Sequence, residues 1–367
     1  MSLRSAVVGA GVVSERHLTG LDRNPRTDLV AICDLDEGRA NEKALEYGIK
    51  AYTDLGEMLA EANLDWLHVC TPVATHVPLA IQAIEAGVPV LIEKPVAETV
   101  EEVEELAAAA RDAGVTASVV HNHVFNPVMR KVRERLADGE LGDVRGVDLM
   151  YTGSTTPDTP NRGEWAFDLL GGEFEEGLPH SLSLALRIGG YPESREEVTA
   201  QTALAGEYET EFGYDGAQVG YVTDDDVIVN ATVLSGTVPV RVLYVHGTEA
   251  TLAADEVSQT LVTLDRDYKG STVGRALNNV DQAVDRMSGT VENALSLLRR
   301  AGDDGWEQEA ETNSMFYQFD REIDALLTDG EPATPMEEAR WTIALMEAIR
   351  DSVGAEAPAA VAEISQD

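Results

Sequence analysis

The sequence predicts a two-domain protein of the α/β plus α+β class. An N-terminal doubly wound parallel sheet is expected to precede a C-terminal domain built on a large open antiparallel sheet. The chain has 367 residues, more than the roughly 250 to 300 at which a single hydrophobic core stops growing. Short apolar runs alternate with amphipathic helical patterns over residues 1–120, whereas strand-like runs follow one another closely after residue 140. The first pattern indicates a parallel sheet and the second an antiparallel one.

Five apolar or β-branched runs in the N-terminal part predict parallel strands covered on both faces. They are Ala6–Gly9, Leu29–Cys33, Trp66–Cys70, Val88–Ile92 and Thr116–Val120. The clearest helix between them is Val100–Ala113, where apolar residues recur at helical spacing. Thr99 and Glu102 form a capping-box pair at its start, and Gly114 ends it. Strands that alternate with helices in this way predict right-handed crossovers in one parallel sheet.

The C-terminal part has one early helix pattern, Val128–Ala137, and a loop rich in Thr, Pro and Gly over Thr152–Gly163. Its strand-like runs lie too close together for helical crossovers. They are Val144–Tyr151, Val198–Ala205, Ala217–Thr223, Val227–Val233, Val240–His246, Ala250–Ala254 and Thr260–Leu264. Two helical patterns return over Asn313–Val353. The predicted domains are residues 1–122 and 123–353, followed by an acidic tail over residues 354–367 that is expected to fray.

Charge is the unusual feature of the composition. The chain has 27 basic and 66 acidic residues, a formal net charge of −39. Nucleic acids and anionic membrane surfaces are polyanions, and no basic run is present to bind them, so neither is an expected partner. Lysine is scarce, with five residues against 22 arginines. This composition favours a halophile's cytoplasmic protein, because 1 M salt shortens the Debye length to about 3 Å; an ordinary acidic protein is the alternative.

The two cysteines, Cys33 and Cys70, lie in apolar runs, so we expect buried thiols and a reducing compartment. The apolar stretch Ala6–Val13 is broken by Gly9 and Gly11, which fits neither a signal peptide nor a membrane span. The sequence has no close cluster of Cys, His and carboxylates at ligand spacing, so no metal site is expected.

A glycine motif follows the first predicted strand directly. Gly9-Ala10-Gly11-Val12-Val13-Ser14 matches most of the dinucleotide-binding fingerprint of Rossmann domains. Gly9 permits a tight turn, and Gly11 allows the backbone to approach a pyrophosphate at the start of the next helix. Ser14 replaces the third glycine and is small enough for close packing of helix and strand. The loop Gly9–Val13 is therefore the predicted cofactor site.

Asp34 ends the second predicted strand, 23 residues after Gly11. A carboxylate at this spacing accepts hydrogen bonds from an adenosine ribose and repels a 2′-phosphate. NAD is therefore favoured over NADP. The alternative is that Asp34 caps the helix predicted over Glu37–Tyr47.

Three further segments follow predicted strands. They are Thr71-Pro72, His76 in the first turn of the next helix, and Glu93-Lys94-Pro95. The carboxyl ends of parallel strands form the edge at which doubly wound sheets bind ligands. Lys94 is a rare lysine in this chain, and a lysine can give up its proton when desolvated, which an arginine cannot. The alternative is a surface lysine that balances Glu93.

Taken together, these motifs resemble the Gfo/Idh/MocA family of nicotinamide-dependent oxidoreductases, which includes glucose-fructose oxidoreductase and inositol dehydrogenase. The second half agrees: HNHVFNP at His121–Pro127, GELG at Gly139–Gly142, Trp165 followed by Gly171-Gly172, and a carboxylate before His180. The resemblance spans roughly Arg4 to Val353. It implies a Rossmann domain followed by an open antiparallel sheet that is often used for oligomer contacts, and hence a homodimer or homotetramer.

The resemblance also implies catalytic roles. Lys94 matches the family lysine that hydrogen-bonds the reacting hydroxyl, and His180 matches the general acid or base of the sugar and inositol dehydrogenases. The family usually has Asp four residues before this histidine, where this chain has Glu176. Positions four apart share a helix face, so Glu176 could hold or polarise His180. Glu175 is the alternative carboxylate.

Further contacts follow from the same resemblance. Thr71 and Pro72 would lie near the nicotinamide ribose, and Asn122, Arg162 and Trp165 are candidate substrate contacts that could equally be structural. The expected function is NAD(P)-dependent oxidation of a secondary hydroxyl of a sugar, sugar derivative or cyclitol. A redox-neutral, NAD-dependent elimination or hydrolysis of a sugar is one alternative. A non-catalytic nucleotide- or sugar-binding regulator is another, which loss of the lysine or histidine would favour.

Overall fold

A computed structural model describes residues 2–161, 163–265, 272–302 and 305–354. The N-terminal part is a six-stranded parallel sheet with the strand order β3-β2-β1-β4-β5-β6. Its elements are β1 Leu3–Val8, α1 Ser14–Arg23, β2 Thr27–Cys33, α2 Glu37–Tyr47, β3 Lys50–Tyr52, α3 Leu55–Glu61, β4 Trp66–Val69, α4 His76–Glu85, β5 Val90–Ile92, α5 Val100–Ala113 and β6 Ala117–Val119. The strand order reverses direction at β1, which places the glycine motif at the switch point where such sheets bind ligands.

Local signals in the N-terminal part are confirmed in detail. The Thr99 side chain accepts a hydrogen bond from the Glu102 amide, and the Glu102 side chain accepts one from the Thr99 amide. Gly114 ends α5 in the left-handed conformation with φ +65°. The predicted strand runs correspond to β1, β2, β4, β5 and β6. β3 was not predicted, because three residues are too few to show a periodic pattern.

The C-terminal part is a seven-stranded sheet with the strand order β13-β12-β11-β7-β10-β9-β8. Its elements are α6 Pro127–Ala137, β7 Val144–Thr152, α7 Gly172–Gly189, β8 Thr199–Ala203, β9 Gly216–Val222, β10 Ile228–Leu234, β11 Val240–Gly247, β12 Ala250–Asp255, β13 Thr260–Asp265, α8 Thr272–Gly302, α9 Trp306–Thr312, α10 Ser314–Thr328 and α11 Met336–Asp351. Short 3-10 helices span Val73–Thr75, Asn122–Phe125, Glu164–Asp168 and Arg195–Glu197.

The predicted antiparallel sheet is confirmed, with one difference. β7 and β10 are parallel, whereas the other neighbouring pairs of this sheet are antiparallel. β7 is therefore inserted between β10 and β11, which are consecutive in the chain. A strand pair so distant in sequence leaves no local pattern from which its direction could be predicted.

The C-terminal helices return to the N-terminal domain. Phe316 and Phe319 of α10 belong to the same buried cluster as Leu18 of α1 and Trp66 of β4. Gly20 of α1 permits this contact, because a Cβ there would lie 2.7 Å from the Phe319 ring. The predicted boundary at residue 122 thus separates the two sheets, while residues assigned to the second domain complete the core of the first. The helices within the described residues include none with the length and apolarity that a membrane span requires.

Candidate active site

A cavity of about 660 Å³ opens at the carboxyl ends of the parallel strands. All the residues predicted to bind the cofactor line it: Gly9, Gly11, Val12, Val13, Asp34, Thr71, Pro72, His76, Glu93 and Lys94. Trp165 and Glu176 line it from the C-terminal domain. The N-terminal motifs, which are up to 85 residues apart in sequence (from Gly9 to Lys94), therefore meet in one cavity.

The glycine loop leaves room for a dinucleotide. Gly9 has φ +98°, and a Cβ at this position would lie 2.6 Å from the Cys70 carbonyl oxygen, so a side chain would collide with the loop after β4. No heavy atom of the described residues lies within 4 Å of the Cβ position of Gly11. The backbone there faces open space in front of α1, whose N-terminus favours negative charge. These residues fit a pyrophosphate.

Asp34 ties the glycine loop to the end of β2. Its Oδ2 accepts a hydrogen bond from the Ala10 amide at 2.7 Å, and its Oδ1 accepts one from the Asp36 amide at 2.8 Å. The alternative that Asp34 caps α2 is wrong, because Asp36 is the cap and accepts hydrogen bonds from the Gly38 and Arg39 amides. The Asp34 carboxylate, 11% exposed, remains at the edge of the cavity.

His76 joins two loops of the cavity. Its ring nitrogens lie 2.6 Å from the Thr71 carbonyl oxygen and 2.8 Å from the Pro95 carbonyl oxygen. Burial lowers the pKa of His76, and the two carbonyl acceptors oppose this shift. The side chain is buried beneath the loops that follow β4 and β5. His76 thus sets the spacing of Thr71-Pro72 and Lys94-Pro95 around the cavity.

Lys94 is buried and forms an ion pair with the Glu176 carboxylate. Its Nζ also donates a hydrogen bond to the Glu176 carbonyl oxygen at 3.0 Å. Lys94 follows β5 in the first domain, whereas Glu176 lies in α7 of the second. The alternative of a surface lysine balancing Glu93 is therefore wrong. The ammonium group lies where the two domains meet.

The choice between Glu175 and Glu176 is decided by their neighbours. Glu175 accepts hydrogen bonds from the Tyr214 hydroxyl at 2.9 Å, the Gly171 amide at 2.8 Å and Arg350 Nε at 2.7 Å. These contacts make Glu175 part of the structural framework of the second domain. Glu176 is the carboxylate that faces the cavity.

His180 lies on the same face of α7 as Glu176, one helical turn later. Its ring stacks on that of His123, with 4.1 Å between the ring centres. His123 Nδ1 lies 2.5 Å from Glu256 Oε1, and Asn126 Nδ2 donates to the same oxygen at 2.5 Å. Glu256 follows β12, far along the chain. The imidazole of His180 is thus positioned by a stacked partner that a carboxylate holds.

Three buried polar side chains, Glu93, His17 and His68, lie in contact in series. Of these, only Glu93 was among the predicted site residues. Glu93 Oε1 lies 2.9 Å from His17 Nε2, and His17 Nδ1 lies 2.7 Å from His68 Nδ1. His17 belongs to α1 and His68 to β4, the strand beside β5. One of the two Nδ1 atoms must carry a proton for the contact to be a hydrogen bond. The signal in the sequence for this series of contacts was His68, a histidine inside an apolar strand.

A second cavity of about 400 Å³ adjoins the first, and Val12, Val13 and Glu176 line both. His180 lines the second cavity. The helix α7 contributes Glu173, Glu176, Gly177 and His180, which recur at helical spacing and so lie on one face. Side chains that the sequence analysis did not select also line it: Arg16, Tyr151, Asn161 and Arg241. These residues lie in separate parts of the chain, so no common motif in the sequence points to them.

The predicted substrate contacts fall in different places. Trp165 lines the first cavity and is half-buried, so it does not lie in the hydrophobic core. Asn122 begins the helical turn Asn122–Phe125 and donates a hydrogen bond to the Ser314 hydroxyl at 3.2 Å. It is not among the residues that line either cavity, so the geometry of the described part of the chain does not support a substrate contact. Arg162 lies outside the described residues.

Among the described residues, no group of three or more His, Cys, Asp or Glu side chains is arranged to hold a metal ion. Both thiols are buried. Burial, with nearby carboxylates, raises the pKa of Cys33 to about 11.

Comparison with known proteins gives the family. Residues 3–121 match the Gfo/Idh/MocA family model, described as an oxidoreductase family with an NAD-binding Rossmann fold. Residues 129–253 match the GFO/IDH/MocA C-terminal domain. The chain therefore belongs to the Gfo/Idh/MocA family of oxidoreductases, and the predicted family and fold class are confirmed.

Three of the proteins that this chain resembles share 30% or less of its sequence over the aligned residues. The uncharacterized oxidoreductase YrbE of Bacillus subtilis is 30% identical over 158 residues, which cover 43% of this chain and 46% of the relative. Inositol 2-dehydrogenase of Rhizobium meliloti is 28% identical over 206 residues, which cover 56% of this chain and 59% of the relative. The chain thus spans about half the length of the curated relatives it matches. The crystal structure of GenD2 from gentamicin A biosynthesis in complex with NAD is 26% identical, with a TM-score of 0.71 and coverage of 96% and 94%.

Proposed function

We propose that this protein is an NAD-dependent dehydrogenase that oxidises a secondary hydroxyl of a sugar, sugar derivative or cyclitol. The buried contact between Lys94 and Glu176 carries the proposal. Both residues line the first cavity, the proposed dinucleotide cavity, and Glu176 also lines the second, the proposed substrate cavity. His180 lines the adjoining cavity and supplies a second group able to accept a proton.

In this proposal, the first cavity binds NAD, and proton transfer takes place where the two cavities adjoin. NAD, when bound, would supply the hydride acceptor. Lys94 would hydrogen-bond the substrate hydroxyl and orient it, and Glu176 would hold the ammonium in place. His180 would accept the hydroxyl proton, with its ring kept in position by the stacked His123. Removal of the proton and alignment of the alcohol are the two tasks that fall to the protein.

The preference for NAD rests on Asp34. Its carboxylate lies at the edge of the dinucleotide cavity, where it would accept hydrogen bonds from a ribose and repel a 2′-phosphate. A guanidinium nitrogen of Arg39 lies 3.4 Å from Asp34 Oδ1. Asp34 therefore partly balances the positive charge of Arg39, which would otherwise attract a 2′-phosphate. We therefore expect a lower KM for NAD than for NADP.

The substrate cavity suits a polar ligand of limited size. Arg16 and Arg241 line it together with Glu173. The Arg241 guanidinium lies 4.6 Å from the centre of the Tyr151 ring. A polyhydroxylated ring that bears a carboxylate or phosphate would match these groups, because guanidinium binds such anions through paired hydrogen bonds.

The test is a panel of sugars, sugar acids, nucleotide sugars and cyclitols with NAD and NADP, assayed in dilute buffer and in molar KCl. For the substrate that is turned over, Lys94→Met and His180→Gln should each lower kcat by about 10²- to 10⁴-fold, the usual contribution of a proton-transfer group. Lys131→Met is the matched control, because Lys131 is a surface lysine paired with Glu292. Unchanged turnover in Lys94→Met would refute the proposal.

Removing Lys94 takes away the cation that pairs with the buried Glu176 carboxylate, which can prevent folding. The double variant Lys94→Met/Glu176→Gln removes both charges and should fold while remaining inactive. Product formation without accumulated NADH would instead indicate the redox-neutral reaction. Binding of NAD and sugar without turnover of any panel member would indicate a regulator.

We further propose that the protein is a cytoplasmic homo-oligomer of a halophile. The net charge of −39 supports a salt requirement, since self-repulsion weakens as ionic strength rises. Full activity and stability in dilute buffer, with no effect of molar KCl, would refute the halophile proposal.

A further inference from the structure

A third cavity, of about 650 Å³, lies between α6, α7 and α10. None of its described lining residues lines either cavity of the candidate active site. Four of them are arginines: Arg130, Arg133, Arg187 and Arg321. So many guanidinium groups around one cavity are unexpected in a chain with a net charge of −39.

Two aromatic rings hold these arginines, and each ring contacts two guanidinium groups. The distances from guanidinium carbon to ring centre are 4.0 Å for Arg130 and 5.4 Å for Arg321 at Tyr317, and 5.8 Å for Arg133 and 5.7 Å for Arg187 at Phe125. Stacking on a ring face fixes the plane of a guanidinium while its N–H groups stay available at the edge. The cluster is therefore organised before any ligand binds.

The charges of the cluster are incompletely balanced. Arg130 pairs with Glu311 at 2.9 Å, Arg187 pairs with the buried Glu338, and Arg321 pairs with Asp324 at 2.7 Å. Arg133, in contrast, has no carboxylate of the described residues within 4.0 Å.

Two further properties of the arginines point to a missing anion. Burial, together with the neighbouring Arg187, lowers the pKa of Arg133. The Nε of Arg130 is buried, and no acceptor within the described part of the chain bonds to it. An unpaired buried donor and a partly buried cation both cost free energy that a bound anion would recover.

Carboxylates line the cavity as well. Glu134 and Glu331 are exposed, and Asp324 is shared between Arg321 and Arg26. Asp324 therefore divides its two carboxylate oxygens between Arg321 of the cavity and Arg26, which does not line it. The positive end of the cavity remains at Arg133, between Arg130 and Arg187.

We propose that this cavity binds a small anionic molecule through phosphate or carboxylate groups, with Arg130, Arg133 and Arg187 as its cationic ligands. The volume exceeds what a single inorganic anion needs and falls in the range of small-molecule sites, about 300 to 1,000 Å³. Guanidinium forks bind both kinds of oxyanion in paired hydrogen bonds. The ligand is therefore expected to carry at least two anionic groups, so that it engages several arginines.

The test uses the full-length protein and two probes, inorganic pyrophosphate and citrate, titrated calorimetrically at a constant ionic strength set with KCl. At least one probe should bind saturably with one site per chain. Arg133→Gln should weaken that binding at least tenfold, and Arg133→Lys should restore it only in part, since lysine keeps the charge and loses the fork. Arg133 makes no ion pair within the described residues, so its replacement is expected to preserve the fold.

Arg145→Gln is the matched control, because Arg145 is exposed on β7 and paired with Asp143. It should bind the probe like the unmodified protein. Absence of saturable binding by both probes would overturn the proposal, and so would equal affinities of the Arg133→Gln and Arg145→Gln variants. The latter result would indicate binding in the dinucleotide cavity or non-specific screening. The measurement needs no turnover, so its failure is distinguishable from failure of the proposed dehydrogenase activity.

Discussion

At the residue scale, neighbours decide what each titratable side chain can do. Glu175 and Glu176 are adjacent in sequence, yet one is held by Tyr214 and Arg350 and the other pairs with Lys94. Helical periodicity assigns each carboxylate to a face of the helix, but it does not show which face lines a cavity. Both carboxylates were candidates in the sequence, and only the packing of α7 shows that their contacts differ.

Another residue-scale consequence concerns His68, which is fully buried beside His17. Burial, reinforced by His17, lowers the pKa of His68 well below 6.5. Below that pH the unfolded chain binds a proton at this site that the folded protein does not. The free energy of unfolding should therefore fall as the pH drops below about 6.5, with a slope of up to about 1.4 kcal/mol per pH unit from this group.

His68→Gln should flatten this slope, which can be measured as the urea midpoint between pH 5 and pH 7. His246→Gln is the control for loss of a histidine, because the His246 side chain is 43% exposed on the sheet surface. A slope that stays the same in His68→Gln would contradict the assignment of the proton uptake to His68.

At the element scale, capping signals marked both ends of α5. The start of α5 at Val100 and its end at Ala113 agree with the sequence prediction because Thr99, Glu102 and Gly114 satisfy the terminal backbone groups. α8 was missed, although Leu277, Val280, Val284, Met287 and Val291 recur at helical spacing along it.

The α5 cap can be tested directly. Thr99→Ala should destabilise the protein by about 1 kcal/mol, the usual contribution of such a cap. We expect the apparent Tm to fall by about 2 °C, since large domains shift only a few degrees per kcal/mol. Thr99→Ser keeps the hydroxyl and should retain the parent Tm. If both variants melt alike below the parent, the effect arises from the lost methyl group and not from the cap.

At the scale of the whole molecule, the two faces of the seven-stranded sheet differ. α7 packs against the inner face through Gly189, which lies close to Val147 of β7 and Val229 of β10. The outer face exposes apolar side chains: Met150, Val222, Ile228, Leu234, Val240 and Tyr244. The apolar row of α8 is exposed as well. An exposed apolar face of this kind supports the proposed oligomer contact through the sheet.

This proposal predicts the behaviour of one substitution. Ile228 is 55% exposed on β10, and Ile228→Glu should dissociate the oligomer because it buries a charge in an apolar contact. Val257→Glu is the matched control, since Val257 is 56% exposed in the turn between β12 and β13. Molar mass measured by light scattering after size-exclusion chromatography should fall only for Ile228→Glu. An equal mass for both variants and the parent would contradict a contact through this part of the sheet.

The sequence by itself determined the two kinds of sheet, the glycine loop and the strand-end motifs, because each depends on local periodicity or on backbone freedom at a few positions. It also placed Lys94 and His180 among the candidate catalytic residues through a family resemblance. Only the tertiary structure decided that Glu176 pairs with Lys94, that Glu256 holds His123 beneath His180, and that arginines gather around a third cavity. These contacts join residues far apart in the chain, and packing between elements, which no local pattern encodes, brings them together.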